Sequence, residues 1–202
     1  MKIETVGVLG LQGCVTPHIW HLEQLNSLGG LPFLVKPLVV KSPQDLQVCN
    51  RLILPGGESS TVLKLLDRLS FFELLAKYCS RYPVWGVCAG AILLSQIVEN
   101  PVQRSLNVAP VRAIRNFYGS QLDSFSTSIS VQSPLGTVGN ERKTMEVDFI
   151  RAPRLIALSD EVEVLAEIKD NTIGLRYRNV ILTAFHTELG TDSYMHKMFV
   201  CL

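Results

Sequence analysis

Apolar residues in the first half of this chain alternate between two patterns. The continuous runs Thr5-Val6-Gly7-Val8-Leu9, Pro32-Phe33-Leu34-Val35 and Arg51-Leu52-Ile53-Leu54 have the length and composition of buried strands. Between them, Ile19, Leu22 and Leu25 recur at helical spacing within residues 17–28, and Ser42-Pro43 followed by Asp45 reads as the cap of a short helix running toward Val48. Helical spacing resumes over residues 61–78 through Leu65, Leu66, Leu69, Phe72, Leu75 and Ala76, with an interruption expected near Ser70. The β-prone run Tyr82-Pro83-Val84-Trp85 follows, and residues 91–98 after it read as a buried helix. Repeated β-then-α units of this size imply a parallel sheet covered on both faces by helices through right-handed crossovers.

From Val108 the pattern turns strand-rich. Residues 126–131, 146–150, 163–168 and 172–177 read as strands joined by turns, residues 180–185 as a last strand running into His186, and residues 192–200 as a closing helix. Residues 136–143, dominated by Gly, Thr, Asn and charged side chains, offer little apolar surface to bury and read as a mobile loop. The expected fold is α/β, with a mostly parallel central sheet and extra antiparallel strands in the C-terminal half.

Composition narrows the class. A chain of 202 residues supports one full core and is cramped for two, so residues 1–202 are expected to form a single domain. Nineteen basic against eighteen acidic residues leave a net charge of +1, which provides no field for nucleic acid or an anionic membrane. The first strand begins almost at Met1 without a basic leader, and no apolar run approaches the roughly 20 residues of a membrane span. A soluble cytoplasmic protein is expected. The five cysteines are odd in number and lack C-x-x-C spacing, which disfavours a disulfide framework or a zinc site and suits a reducing compartment.

One cysteine stands apart. Gly86-Val87-Cys88-Ala89-Gly90 joins a strand-like run to a helix-like run, a nucleophile elbow with sulfur in place of the serine oxygen. At the helix N-terminus, unpaired N–H groups and the macrodipole favour the thiolate. Cys14, Cys49, Cys79 and Cys201 read as inert small hydrophobes.

His186-Thr187-Glu188 is the second feature. Two residues apart after a strand, the imidazole and carboxylate project to one side, and ligands of doubly wound sheets collect where strands end. Together with Cys88 these groups supply a nucleophile, a base and an orienting carboxylate. The third feature, Leu54-Pro55-Gly56-Gly57-Glu58-Ser59, places two glycines at a strand end, where a main-chain N–H could donate to an oxyanion alongside that of Ala89. A phosphate cradle is the rival reading, opposed by Glu58 and by the missing lysine. Read singly, His-x-Glu and Gly-Gly are weak signals. His18, His21 and His196 lie on helix-like segments and read as surface or partly buried packing, and Arg115 and Arg151 as solvated or ion-paired.

Taken with Val6-Gly7-Val8-Leu9-Gly10-Leu11-Gln12-Gly13, Arg115-Asn116-Phe117-Tyr118-Gly119-Ser120-Gln121 and Phe149-Ile150-Arg151-Ala152-Pro153, these segments resemble, in order and over nearly the whole chain, the glutaminase subunits of pyridoxal 5'-phosphate synthase. Cys-Ala-Gly with His-x-Glu marks triad (class I) glutamine amidotransferases generally, whereas the Arg-Asn-Phe-Tyr-Gly-Ser-Gln and Ile-Arg-Ala-Pro segments are narrower and point to the vitamin B6 branch.

The resemblance implies a three-layer, flavodoxin-like α/β/α sandwich and hydrolysis of L-glutamine to glutamate and ammonia. Carried onto matching positions, it implies Cys88 as nucleophile, His186 as proton shuttle, Glu188 as its orienting partner, and the N–H groups of Gly57 and Ala89 as oxyanion hole. It further implies Gly57, Glu58, Ser59, Arg115, Ile150 and Arg151 around bound glutamine, and Gln12 on a loop that meets the partner and arranges the oxyanion site. The implied partner is a (β/α)8-barrel synthase subunit that takes the ammonia, so pyridoxal phosphate is that partner's product and this chain needs neither cofactor nor metal. Two positions depart from the family pattern: Thr187 replaces a usual proline, releasing a fixed φ, and Val87 replaces a usual threonine. Residues 100–111 also lack the glycines expected before a strand. A silent scaffold relative, a triad glutaminase of histidine or purine synthesis, and a stand-alone γ-glutamyl hydrolase are the competing readings.

Overall fold

The computed structural model describes residues 2–118, 124–133 and 142–202. Its first half follows the expected alternation: β1 (Lys2–Leu9), α1 (Val15–Leu28), β2 (Phe33–Val40), α2 (Pro43–Gln47), β3 (Arg51–Leu54), α3 (Ser59–Arg68), α4 (Phe72–Cys79), β4 (Val84–Val87) and α5 (Ala89–Leu94). Ser42 caps α2 through a capping box closed by Asp45. The helical stretch over residues 61–78 is split where expected, since Ser70 adopts φ +52° between α3 and α4. The second half contributes β5 (Ser95–Glu99), β6 (Ala109–Tyr118), β7 (Phe125–Gln132), β8 (Arg142–Phe149), β9 (Ala152–Ala157), β10 (Glu163–Ile168), β11 (Asn171–Tyr177), β12 (Val180–Thr183) and α6 (Tyr194–Val200).

Among the described residues, seven strands form a sheet in the order β10-β11-β12-β4-β3-β1-β2. The five strands from β12 to β2 run parallel, and β11 and β10 extend the sheet antiparallel. Every residue of β4 and β12 is buried, which requires cover on both faces because successive side chains alternate across a strand. Trp85 packs against His18, His196 and Phe199 of α1 and α6, whereas Gly86 abuts Gly90 of α5. Consecutive residues of β4 therefore face opposite helical layers.

Several expectations are corrected. Residues 95–98, expected to prolong a helix, form β5, which pairs with β6. The chain leaves the helix at Ser95, whose hydroxyl donates to the Ala91 carbonyl, and Ile97 and Val98 continue as strand. The closing strand stops at Thr183, two residues short of residue 185, because the chain turns there toward a bridge with β8. Strands β6 and β9, each with a proline at its second residue, were not expected, since proline obscures a strand pattern. Of the loop expected over 136–143, residues 136–141 lie outside the described residues, as do Gly119, Ser120 and Gln121, while Arg142 and Lys143 belong to β8, paired with Gln132 and Val131. Among the described residues no helix is long and apolar enough to cross a membrane.

Candidate active site

Strands β4 and β12 are parallel neighbours with Val87 opposite Thr183, so the residues after their carboxyl ends emerge side by side. Cys88 donates its N–H to the Thr183 carbonyl (2.7 Å) and turns into α5 with φ +48°, a conformation unusual for a side-chain-bearing residue and typical of constrained functional positions. The turn is possible because the helix lies directly on the sheet. A Cβ on Gly90 would fall 2.0 Å from the Leu54 carbonyl oxygen, and one on Gly86 would fall 2.6 Å from the Gly90 carbonyl. Both glycines of the G-x-C-x-G pattern are thus required by close approach.

His186 follows β12 and is held through its backbone. It exchanges two main-chain hydrogen bonds with Asp148 of β8 (Asp148 N–H to His186 O, 3.0 Å; His186 N–H to Asp148 O, 2.8 Å). Its Nδ1–H donates to Glu188 Oε1 at 2.6 Å, and the Glu188 side chain is fully buried. Burial of the imidazole lowers its pKa, but hydrogen bonding and charge from Cys88 and Glu188 outweigh this and push it up to about 10. Burial raises the Glu188 pKa, and His186 and His18 more than reverse the effect, leaving it below the usual carboxylate value. Sequence reasoning required a thiol, an imidazole and a carboxylate to meet, and they do.

A cavity of about 310 Å³ opens over these strand ends, lined by Cys88 and His186 and by Gln12, Gly57, Glu58, Ser59, Arg115, Ile150 and Arg151 among others. This is the lower end of the range for small-molecule sites, roughly 300–1,000 Å³. Of the residues singled out in the sequence, Glu188 lies behind the imidazole and Ala89 in the first turn of α5, whose leading N–H groups have no intrahelical acceptor. The Gly56 carbonyl accepts from Cys14 N–H (2.9 Å). A trans peptide directs its N–H opposite to its C=O, so the Gly57 N–H faces away from the Gln12–Cys14 loop. Gln12 Oε1 accepts from the Glu58 N–H at 2.8 Å and braces this strand end.

Glu58 is clasped by two cations, Arg115 at 3.0 Å and Arg151 at 3.5 Å. Arg115 comes from β6 and Arg151 follows β8, so the smaller strand systems wall one side of the cavity. Arg151 and the neighbouring Asn116 both have positive φ (+45° and +54°). Ile150 brings its carbonyl oxygen to 3.8 Å from Cys88 Sγ. Ser59 is buried, and its hydroxyl is engaged with the Gln103 side-chain amide, a residue the sequence did not bring forward.

Three further results depart from the sequence reading. Cys14 lines the cavity and Cys201 is exposed, so only Cys49 and Cys79 are buried structural thiols. The Thr187 hydroxyl is buried without a hydrogen-bond partner among the described residues. His18, His21 and His196, expected at the surface or partly buried, are fully buried directly behind Glu188, because the faces of α1 and α6 that carry them pack on each other and on Trp85. A histidine pair at i, i+3 carries no signal separating this placement from a solvated one. Among the described residues no group of three or more His, Cys, Asp or Glu is disposed to hold a metal ion.

Residues 8–201 match the SNO glutamine amidotransferase family. The chain is 37% identical over 196 residues to pyridoxal 5'-phosphate synthase subunit PdxT of Fervidobacterium nodosum, covering 96% of this chain and 95% of that one. It is 40% identical over 199 residues to the PdxT of Caldicellulosiruptor bescii, covering 98% and 97%. A crystal structure described as a glutamine amidotransferase superposes with a TM-score of 0.82 at 32% identity, covering 96% of each chain.

Proposed function

This chain belongs to the SNO glutamine amidotransferase family, and we propose that it acts as the glutaminase subunit of a pyridoxal 5'-phosphate synthase, hydrolysing L-glutamine to glutamate and ammonia for vitamin B6 synthesis. The single observation carrying this reading is the convergence of Cys88 and His186 on one cavity, with His186 Nδ1 bonded to Glu188 at 2.6 Å. The relatives' names favour the vitamin B6 branch over histidine or purine synthesis.

In this reading Cys88 Sγ attacks the side-chain amide carbon of glutamine, forming a C–S bond as the carbonyl π pair moves onto oxygen. The N–H groups of Gly57 and Ala89 receive that oxyanion; a single such donor is typically worth about 3 kcal/mol of barrier. His186 protonates the departing nitrogen as the C–N bond breaks, releasing ammonia and leaving a thioester. The raised pKa of His186 suits this step, since the imidazole holds its proton near neutral pH. The imidazole then takes a proton from water as the oxygen attacks the thioester, the C–S bond breaks, and glutamate leaves. Glu188 keeps Nδ1 protonated so that Nε2 faces the reaction. Arg115, Ile150 and Arg151, with Gly57, Glu58 and Ser59, surround the substrate, and Gln12 braces the oxyanion strand end.

The partner is a (β/α)8-barrel synthase that receives the ammonia. Residues 1–202 act as one glutaminase domain, a reading supported by a family match from residue 8 to 201. The test is ammonia release from glutamine by this chain together with its synthase, compared with Cys88→Ala. The variant is expected to lose activity to background, and equal rates would defeat the proposal. Covalent labelling of Cys88 by a glutamine-mimicking electrophile separates an active enzyme from a silent scaffold.

A further inference from the structure

All four histidines of the chain, His18, His21, His186 and His196, gather at Glu188. His186 faces the cavity; the other three lie behind the carboxylate and have no part in the chemistry derived above. Their hydrogen bonds form a directed chain. His18 Nδ1 lies 2.9 Å from His196 Nε2, so one of these two nitrogens carries the shared hydrogen. On the far side of the His18 ring, Nε2 stands 3.9 Å from Glu188 Oε1. Neither His18 Nε2 nor His196 Nδ1 nor Glu188 Oε2 has a hydrogen-bond partner among the described residues.

Two tautomer sets satisfy the His18–His196 bond, and they differ sharply in cost. If His18 Nδ1–H donates to His196, the His18 Nε2 lone pair faces a carboxylate in a dry site, and the His196 Nδ1–H is a buried donor without an acceptor. If His196 Nε2–H donates to His18, the His18 Nε2–H points at the carboxylate, and the nitrogen left facing nothing, His196 Nδ1, is an acceptor. Each set leaves one N–H without a hydrogen bond, but the second aims that N–H at a carboxylate, placing a dipole where the negative charge needs one, whereas the first aims a lone pair at the charge and strands its N–H. At 3.9 Å this is an ion–dipole contact rather than a hydrogen bond. The Glu188 backbone is held from the same side. His21 Nε2–H donates to the Glu188 carbonyl at 3.3 Å, while His21 Nδ1 accepts from the Ser193 hydroxyl at 2.8 Å.

We propose that His18, oriented by His196, is a positioning residue that directs its Nε2–H at the buried Glu188 carboxylate and keeps that carboxylate ionised and aimed at His186. The inference rests on the triad reading of the preceding subsection. It explains why imidazoles rather than lysine or arginine occupy the place behind Glu188. A permanent cation there would compete with His186 for the carboxylate, whereas a neutral N–H stabilises the charge and leaves it available. Burial holds His18 neutral, at a pKa of about 4, against the attraction of Glu188. The titratable groups facing this pair are His186 and Cys88 on the cavity side, Cys14 before α1, His21 on α1 with Asp192 near it, and His196 on α6.

The primary test is made on the unaltered full chain labelled with 15N-histidine, in which the nitrogen shifts report each ring's tautomer. Both His18 and His196 are expected as Nε2–H tautomers, and a His18 found as Nδ1–H overturns the inference. The second test measures glutaminase activity of the complex with its synthase. His18→Leu, which removes the donor, is expected to lower kcat by about tenfold or more with KM changed less than about twofold, as loss of a partner behind a working histidine pair does. The acid limb of its kcat profile is expected to move to higher pH, because Glu188 becomes easier to protonate. His18→Gln, with an amide N–H near the same place, is expected to recover most of the loss. A folded His18→Leu with the kcat and acid limb of the unaltered chain overturns the inference; if that variant does not fold, the tautomer measurement decides. Activity surviving in Cys88→Ala would instead sink the triad reading, whereas an inactive Cys88→Ala beside a fully active His18→Leu sinks this inference alone.

Discussion

A missing methyl group sets where the imidazole can sit. A Cβ on Gly56 would lie 2.3 Å from Cε1 and 3.0 Å from Nδ1 of His186, so the ring rests against the bare backbone of the β3 end. Gly56→Ala is expected to displace the ring and lower glutaminase kcat/KM by about 100-fold, the scale of a catalytic group misplaced by about 1 Å. Steady-state kinetics with the synthase present checks this, and an unaltered kcat/KM would show that the ring can shift without loss. At this scale Cys88, His186 and Glu188 were legible because few residue types can serve as nucleophile, base and orienting group, and their local spacings are tight. Ser59 was legible as a residue of the site, but its bond to Gln103 was not, since that partner lies on a distant loop.

Among the elements, β8 and the residues just past it reach the site at three points. Its Asp148 bridges His186, and the residues just past its end bring Ile150 to Cys88 and Arg151 to Glu58. The Asp148 N–H points at His186 rather than at β7, so proline at this position removes one bridge bond and, with the carboxylate, the bond from the Ser126 hydroxyl, while the Ser126-Asp148 register of the hairpin can persist. Asp148→Pro is expected to cut kcat by about tenfold through loss of this positioning, with little change in circular dichroism or thermal midpoint; an unchanged kcat would show that the bridge is dispensable. The strand-forming potential of residues 142–149 was partly legible from residue 146 onward. Its pairing with the His186 segment was not, because an isolated bridge leaves no periodic trace. Residues 95–98 differ from the helical expectation for a related reason: a short apolar run suits a buried helix or a strand equally, and its partner β6 decides.

Over the whole molecule, buried histidines tie stability to pH. An imidazole that stays neutral when folded, but takes a proton when unfolded, gives stability that is complete above its unfolded pKa and lost as pH falls. For His18 the window runs from 6.5 down to about 4, and burial also lowers His21 and His196. Each such group contributes a slope of up to about 1.4 kcal/mol per pH unit. His186 acts in the opposite sense. With its pKa raised to about 10, its contribution is complete below 6.5 and lost as pH rises through the interval between. Denaturant unfolding across pH 4.5 to 10 is therefore expected to show a stability maximum near pH 6.5, roughly midway between the two losses. A profile flat between pH 4.5 and 6.5 would contradict the buried neutral histidines.

The sequence by itself determined the α/β alternation, the elbow at Cys88 and the placement of His186 and Glu188 just past a strand, because these depend on periodicity, turn geometry and side-chain type; Gln12, Arg115, Ile150 and Arg151 of the cavity wall entered only through the resemblance to a known family. Only the tertiary structure decided that β4 and β12 are neighbours, that β6 and β8 close one side of the cavity, and that α1 and α6 enclose three imidazoles behind Glu188. Those outcomes depend on which faces meet across long stretches of chain. Local pattern says that a face is apolar, but the packing of the whole core selects the face it meets.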